Sequence, residues 1–192
     1  MKYYVVKYTG PFGFIKPWTA VRDSETFSQQ FLTPSIIEGM EKKLFPELLA
    51  ENYLGQIIKI KRYRLNYQGL SIQQERTWSK GGFSFTKEKG IYKTNQGVLN
   101  RGIMLNPNLY LVFENKEDAE VAHSQTLCLC RNEDLVFPES ILELSIEELE
   151  NIDGFELIFT DSGNGFKVGH NRFDNAAEMF GELKVFGNPI RS

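Results

Sequence analysis

Two cysteines and two histidines are all that this 192-residue chain has of those types. Cys128 and Cys130, one residue apart, cannot build the disulfide framework of a small secreted domain. They also lack the second ligand pair of a structural zinc site. Both point to one face of the strand TLCLC (126–130), and the reading is of buried free thiols with no metal. His123 and His170 have no serine or cysteine at a spacing that argues for a nucleophilic triad, so each reads as structural. No apolar run approaches the roughly 20 residues of a spanning helix, which predicts no membrane partner. The first residues, MKYYVVKYTG, lack an apolar h-region with a small-residue cleavage site, and a cytoplasmic location is expected. Glycine fingerprints are missing too. DSGNGFKVGHNR (161–172) matches neither a P-loop nor a dinucleotide motif, and Gly163 and Gly165 read as a hairpin turn rather than a phosphate cradle. No cofactor is expected.

What is present is globular: 41% hydrophobic, 24% charged and 13% aromatic residues, in a length that suits one domain with an appendage. The net charge of −3 hides a division. Residues 1–102 hold 16 basic against 8 acidic side chains, net +8, and residues 103–192 hold 6 against 17, net −11. Between Lys59 and Lys93 there are nine basic residues and only Glu75 and Glu88. Such a segregated charge points to an anionic partner, although a basic run can also be a solvated face that balances the acidic half.

Along the chain, residues 2–9 read as a strand that stops at Gly10-Pro11. A helix over 34–51 opens with Thr33 as N-cap and Pro34 at its first position, and Pro46 is placed to end it early. Gln56 to Tyr67 alternates as a half-buried strand with a cationic outer face, slipping in phase near Arg62-Tyr63, where a bulge is expected. Residues 68–102 carry six glycines with interspersed aromatics and few aliphatics, which predicts a protruding hairpin or a loop. Leu109–Phe113 reads as a buried strand. A helix follows it to about Gln125, then TLCLC, a short helix at 145–151 with a Ser145/Glu148 capping box, and the strand FELIF (155–159). The remainder reads as a turn, a strand FKVGH, a short helix near 174–182 and a last strand ELKVF.

The order resembles a β-α-β-β-α-β ferredoxin-like domain over residues 1–130, an α+β fold related to the RNA-recognition fold, in which bases stack on sheet aromatics. A hairpin thumb is expected at about 68–102, and a small α/β extension at 131–192 packed on the domain. Aromatics interleaved with cations are what a single-stranded nucleic acid needs, rings for bases and ammonium or guanidinium groups for phosphates. In the first loop these are Phe12, Phe14, Lys16, Trp18 and Arg22, although at least two of the rings Phe12, Phe14 and Trp18 fit better as a cover for one end of the core. In the strand they are Lys59, Lys61, Arg62 and Arg64. In the hairpin they are Arg76, Trp78, Lys80, Lys87, Lys89 and Lys93.

Three stretches carry a family resemblance. They are Lys7-x-x-Gly10-Pro11-Phe12-x-Phe14-x-Lys16-Pro17-Trp18-Thr19 with Thr33-Pro34-Ser35 opening a helix that ends Leu44-Phe45; QGVLNRGIMLNPNLYLVF (96–113); and TLCLCRNEDLVFP (126–138). The chain resembles the CRISPR-associated Cas-five family, RAMP proteins of the type I surveillance complex Cascade. The resemblance implies a subunit that caps the 5′ handle of crRNA and contacts the backbone subunit through its thumb. Its expected partners are crRNA, the backbone and large subunits, and target DNA nearby. One branch of the family cuts precursor crRNA with a Tyr and an adjacent Lys-His pair. Here Ala122 precedes His123 and Gly169 precedes His170, so a non-catalytic binder is the primary reading and a metal-independent endoribonuclease the alternative.

Overall fold

The computed structural model describes residues 2–17, 24–78, 85–88, 90–94, 96–160 and 164–191. Its strands and helices in chain order are β1 (Lys2–Thr9), β2 (Phe12–Gly13), β3 (Glu25–Phe27), α1 (Pro34–Leu44), β4 (Arg62–Asn66), β5 (Gly69–Trp78), β6 (Phe85–Glu88), β7 (Ile91–Thr94), β8 (Gln96–Leu105), β9 (Asn108–Phe113), α2 (Lys116–His123), β10 (Leu127–Cys128), β11 (Leu135–Ser145), α3 (Ile146–Glu150), β12 (Gly154–Thr160), β13 (Phe166–Asn171) and β14 (Ala177–Phe186).

One sheet organises the chain, in the order β10-β11-β1-β9-β4-β12-β14-β13. Within it β11-β1-β9-β4 are antiparallel neighbours, the fourth-first-third-second order of a ferredoxin-like β-α-β-β-α-β unit. The insertion between β4 and β9 is the expected hairpin: β5 and β8 pair antiparallel from Gly69↔Leu105 to Trp78↔Gln96. The outer ribbon β6–β7 follows it, and β2 and β3 flank β8 at its root. Among the described residues no helix is long and apolar enough to cross a membrane.

The core follows from the alternation of the strands. Val6 and Tyr8, Leu109, Leu111 and Phe113, and Tyr63 and Leu65 turn to one face, where Ile37, Met40 and Leu44 of α1 and Ala119 and Ala122 of α2 cover them. The opposite face buries Val5 and Val112 beneath Leu149 of α3, with Tyr3, Tyr110, Leu142 and Leu144 around them. In the RNA-recognition fold that second face is the base-stacking platform. Here α3 lies across it.

Several expectations change. The expected boundary at residue 130 falls between β10 and β11, which pair with each other, so the fourth strand of the unit lies past it. The segment after α3 extends the main sheet edgewise instead of packing on it. α1 stops at Leu44, and Pro46 starts a separate 3₁₀ turn, Pro46–Leu49. The strand from Gln56 is only β4, with no slip at Arg62-Tyr63. Residues 58–60 are instead a loop gathered on the fully buried Glu41 carboxylate, which accepts from the N–H groups of Ile58 at 2.9 Å, Lys59 at 2.5 Å and Ile60 at 2.7 Å. The helix expected near 174–182 is strand β14, joined to β13 by a turn in which Asn175 and Ala176 both take positive φ. Of the two thiols, Cys130 is exposed and Cys128 half-buried, because Leu127 and Leu129 take the inner positions of the alternation. The capping box at α3 is formed, with the Ser145 hydroxyl accepting from Glu148 N–H and the Glu148 carboxylate accepting from Ser145 N–H.

Glu41 is the one acceptor for three backbone donors, so its removal leaves buried N–H groups unpaired, at about 1–3 kcal/mol each. Glu41→Ala is expected to lower unfolding stability by about 3 kcal/mol or more in urea titration, and Glu41→Gln by less. Alkaline stability has a clear direction. Burial raises the hydroxyl pKa of Tyr8, Tyr63 and Tyr67 above the ordinary value near 10. The unfolded chain therefore loses these protons first, and stability present below pH 10 falls as pH rises beyond it. Burial, with the charge of Arg62, pulls Arg64 down to about 10, which works the opposite way above that pH, but one guanidinium is outweighed by three phenols. The urea midpoint should stay level to about pH 9.5 and then drop, less steeply in Tyr63→Phe.

Candidate nucleic-acid interface

The hairpin has two faces because strand residues alternate. Ser71, Gln73, Glu75 and Thr77 share one face, and Leu70, Ile72, Gln74, Arg76 and Trp78 the other. The first face is clamped to the body at its root. Arg131, from the body, donates from Nη2 to Gln73 at 3.3 Å, and across the hairpin itself Arg101 Nε of β8 lies 3.3 Å from Glu75. Arg131 also forks onto the fully buried Asp134, with Nε and Nη2 each at 2.7 Å. That carboxylate holds the Arg131 pKa above its usual value. The ring of Phe14 lies between the two guanidinium groups, 5.7 Å from Arg101 and 5.3 Å from Arg131.

The second face is open. Ile72 is 57% exposed, Val98 51% and Trp78 45%, and Arg76 is exposed between them. Phe27 of β3 lies against Gly102, where a Cβ would stand 2.1 Å from its ring, so only glycine admits the contact. Phe27, Leu70, Ile72 and Val98 went unnoticed in the sequence, although Leu70-x-Ile72-x-Gln74-x-Arg76-x-Trp78 is a period-2 signal. The clamp left no local signal at all, since its members come from four separated segments.

The expected contact residues divide. Phe12 is half-buried on β2, paired with Leu105 at the hairpin root, and Lys16 is exposed a few residues on. Phe14, one of the rings left open between base stacking and core, is buried. Arg76 and Trp78 project from the open face, and Lys87 is exposed on β6. Trp18, Arg22, Lys80 and Lys89 lie outside the described residues, as does the side chain of Lys93.

The strand set is a correction. Arg64 is fully buried, with its guanidinium on the Glu156 carboxylate and 3.5 Å above the ring of Phe186, so no phosphate reaches it. Arg62 joins Glu156 at 2.8 Å and Glu150 at 2.5 Å. Lys59 bonds to Asp118 at 2.7 Å and lies 4.2 Å over the ring of Phe45, and Lys61 lies 3.3 Å from Glu114. The acids that answer this basic run come from the C-terminal half of the chain, apart from Glu47 at 3.3 Å from Lys59. Arg62 and Arg64 are thereby turned into an internal joint, while Lys61 stays exposed beside its acid.

The two histidines are apart. His123 ends α2. His170 lies on β13 opposite Glu178, and lines a cleft of about 330 Å³ with Lys42, Arg172 and Glu38. Among the described residues no three metal-ligating side chains gather.

Fold and interface together define a ferredoxin-like chain that carries a hairpin between its second and third strands, clamped on one face and open on the other. No protein-family model and no curated protein matches the sequence. The structure is similar to a chain of a "CRISPR RNA-guided surveillance complex", with TM-score 0.52 and 9% identity over 97% of this chain and 91% of that one. A "Crystal structure of Cas protein" aligns at TM-score 0.46 and 12% identity, over 99% and 98%. The first likeness extends over nearly the whole of both chains.

Glu156 holds two guanidinium groups in a buried site. Its loss would leave Arg64 charged and without its partner, a situation that costs about 3–5 kcal/mol. Glu156→Ala is expected to lose that much in urea titration. A change under about 1 kcal/mol would show that the joint between β4 and β12 does not depend on the pair.

Proposed function

We propose that this chain is a non-catalytic RNA-binding subunit of a type I CRISPR surveillance complex, which holds the 5′ handle of crRNA and touches the backbone subunit through its hairpin. The observation that carries the reading is a likeness of fold, along nearly the whole chain, to a chain of a CRISPR RNA-guided surveillance complex, in a protein whose inserted hairpin is rich in cations and glycine. The proposed contacts are Arg76, Trp78 and Lys87 on the hairpin, Phe12 and Lys16 at its root, the Lys93 side chain, and Trp18, Arg22, Lys80 and Lys89, which lie outside the described residues. Their chemistry fits a single strand, where ammonium and guanidinium groups meet phosphates and rings stack on unpaired bases. Glycines let the backbone come close to the strand. The strand cations at 59–64 are left out, because their own carboxylates already engage them. The acidic half repels RNA and is left to face protein partners and solvent.

Counterion release supplies the test. With four or five phosphates engaged, affinity for repeat-derived RNA should fall with salt at a log–log slope of about −3 to −4, at roughly −0.7 per contact. Lys87→Ala, Lys89→Ala and Lys93→Ala together should reduce the slope by about two. An unchanged slope would remove the hairpin from the interface. Running the same mixtures in EDTA on repeat RNA checks the enzymatic alternative, with His123 or His170 as base: cleavage that disappears in His123→Ala or His170→Ala would replace binding with catalysis as the primary role.

A further inference from the structure

A second cleft, of about 290 Å³, opens between α1 and the β10 segment. Its floor is apolar, built from Ile36 and Met40 of α1 with Leu127 and Leu129. Its polar wall is formed by Lys16, Lys43 and Ser35, and among the described residues no carboxylate lines it. This sets it apart from the His170 cleft, where Glu38 pairs with Lys42. Lys43 donates to the carbonyl of Thr126, a neutral partner that fixes the ammonium in place and leaves its charge uncompensated. Lys16 is exposed and has no ion pair among the described residues.

The position matters as much as the lining. Lys16 follows Phe14, the ring held between Arg101 and Arg131, and Leu129 lies against Gly13 so closely that a Cβ there would stand 2.3 Å from its methyl group. The cleft is therefore continuous with the root of the hairpin. An apolar floor under two uncompensated ammonium groups suits a ligand with a flat, poorly hydrated body and an anionic end. The volume is at the low end of the range of about 300–1,000 Å³ for small-molecule sites, so the cleft takes one such unit.

We propose that this cleft is a nucleotide subsite. A base lies against the half-buried Ile36, over the buried Met40, Leu127 and Leu129, and its phosphate meets Lys16 and Lys43. The inference rests on the RNA-binding reading for its preferred source, a nucleotide of the bound strand, while a free mononucleotide has the same chemistry.

The cleft carries its own reporter, because Cys128 and Cys130 line it and Cys130 is exposed. In the full chain bearing Cys128→Ser, the rate of Cys130 alkylation by iodoacetamide is to be measured alone, with saturating single-stranded repeat RNA, and with adenosine 5′-monophosphate. RNA is expected to slow alkylation about tenfold. Gly39 offers a blocking variant, since it is an exposed helical position where a Cβ would meet nothing within 4 Å, and a longer side chain improves helix propensity there. Gly39→Glu brings a carboxylate to the cleft and should abolish the protection, whereas the neutral Gly39→Gln should retain most of it.

Protection by RNA and not by the mononucleotide assigns the site to the strand. Protection by both assigns it to free nucleotides as well, and either result supports the subsite. RNA that binds, as judged by mobility shift, yet leaves alkylation unchanged overturns the subsite and leaves the RNA-binding reading intact. RNA that fails to bind overturns that reading, and the subsite then stands or falls on protection by the mononucleotide.

Discussion

The seam between β4 and β12 joins the ferredoxin-like unit to the three strands that extend it, and it has a single register pair, Phe155↔Leu65. Side chains hold what the ladder does not. Arg62 and Arg64 reach Glu156 and Glu150, and the hydroxyl of Tyr63 accepts from Leu157 N–H at 2.7 Å while it also donates to the carbonyl of Leu32. Charges placed this deep stay only when each has a partner, so removing either partner is costly. A shifted register would leave Glu156 or Arg64 alone in the interior.

This seam decides where an anionic partner is able to bind. Arg62 and Arg64 are consumed internally, and α3 with Leu149 covers the sheet face that serves as the base platform in the RNA-recognition fold. Among the described residues, exposed cations include Arg76 and Lys87 on the hairpin, Lys16 at its root and Lys61 beside β4. The hairpin's open face mixes Arg76 with Ile72, Val98 and Trp78, which suits a partner that is partly apolar. Its clamped face fixes the root through Glu75, Arg101 and Arg131. A rigid root under an open face lowers the ordering cost of binding.

Much of the fold was legible. β1, α2, the short strand of TLCLC, the α3 capping box and the hairpin insertion all follow from alternation, capping residues and glycine content. The ferredoxin-like order followed from the sequence of elements. The missed elements share one cause. In β14, the stretch AEMFGELKVF contains good helix formers, but it lies between β12 and β13 and pairs with both, and that pairing overrides local propensity. Residues 58–60 alternate like a strand, yet their donors face Glu41, 17 to 19 positions earlier, instead of a neighbouring strand. For the interface, the hairpin cations and Trp78 were readable because composition alone marks an exposed basic segment. The clamp and the apolar cleft were not, because their residues meet only in three dimensions.

The sequence by itself determined most of the elements up to α3, their order, the insertion after the second strand of the unit and the division of charge along the chain. Each of these is set by interactions between residues close in sequence, or by a count. Only the tertiary structure decided which charges are available. Arg64 and Arg76 look alike as letters in a basic run, but one is fully buried on Glu156, 92 residues away, and the other stands exposed on a two-stranded hairpin. Burial depends on what packs opposite, and that partner is chosen by the fold.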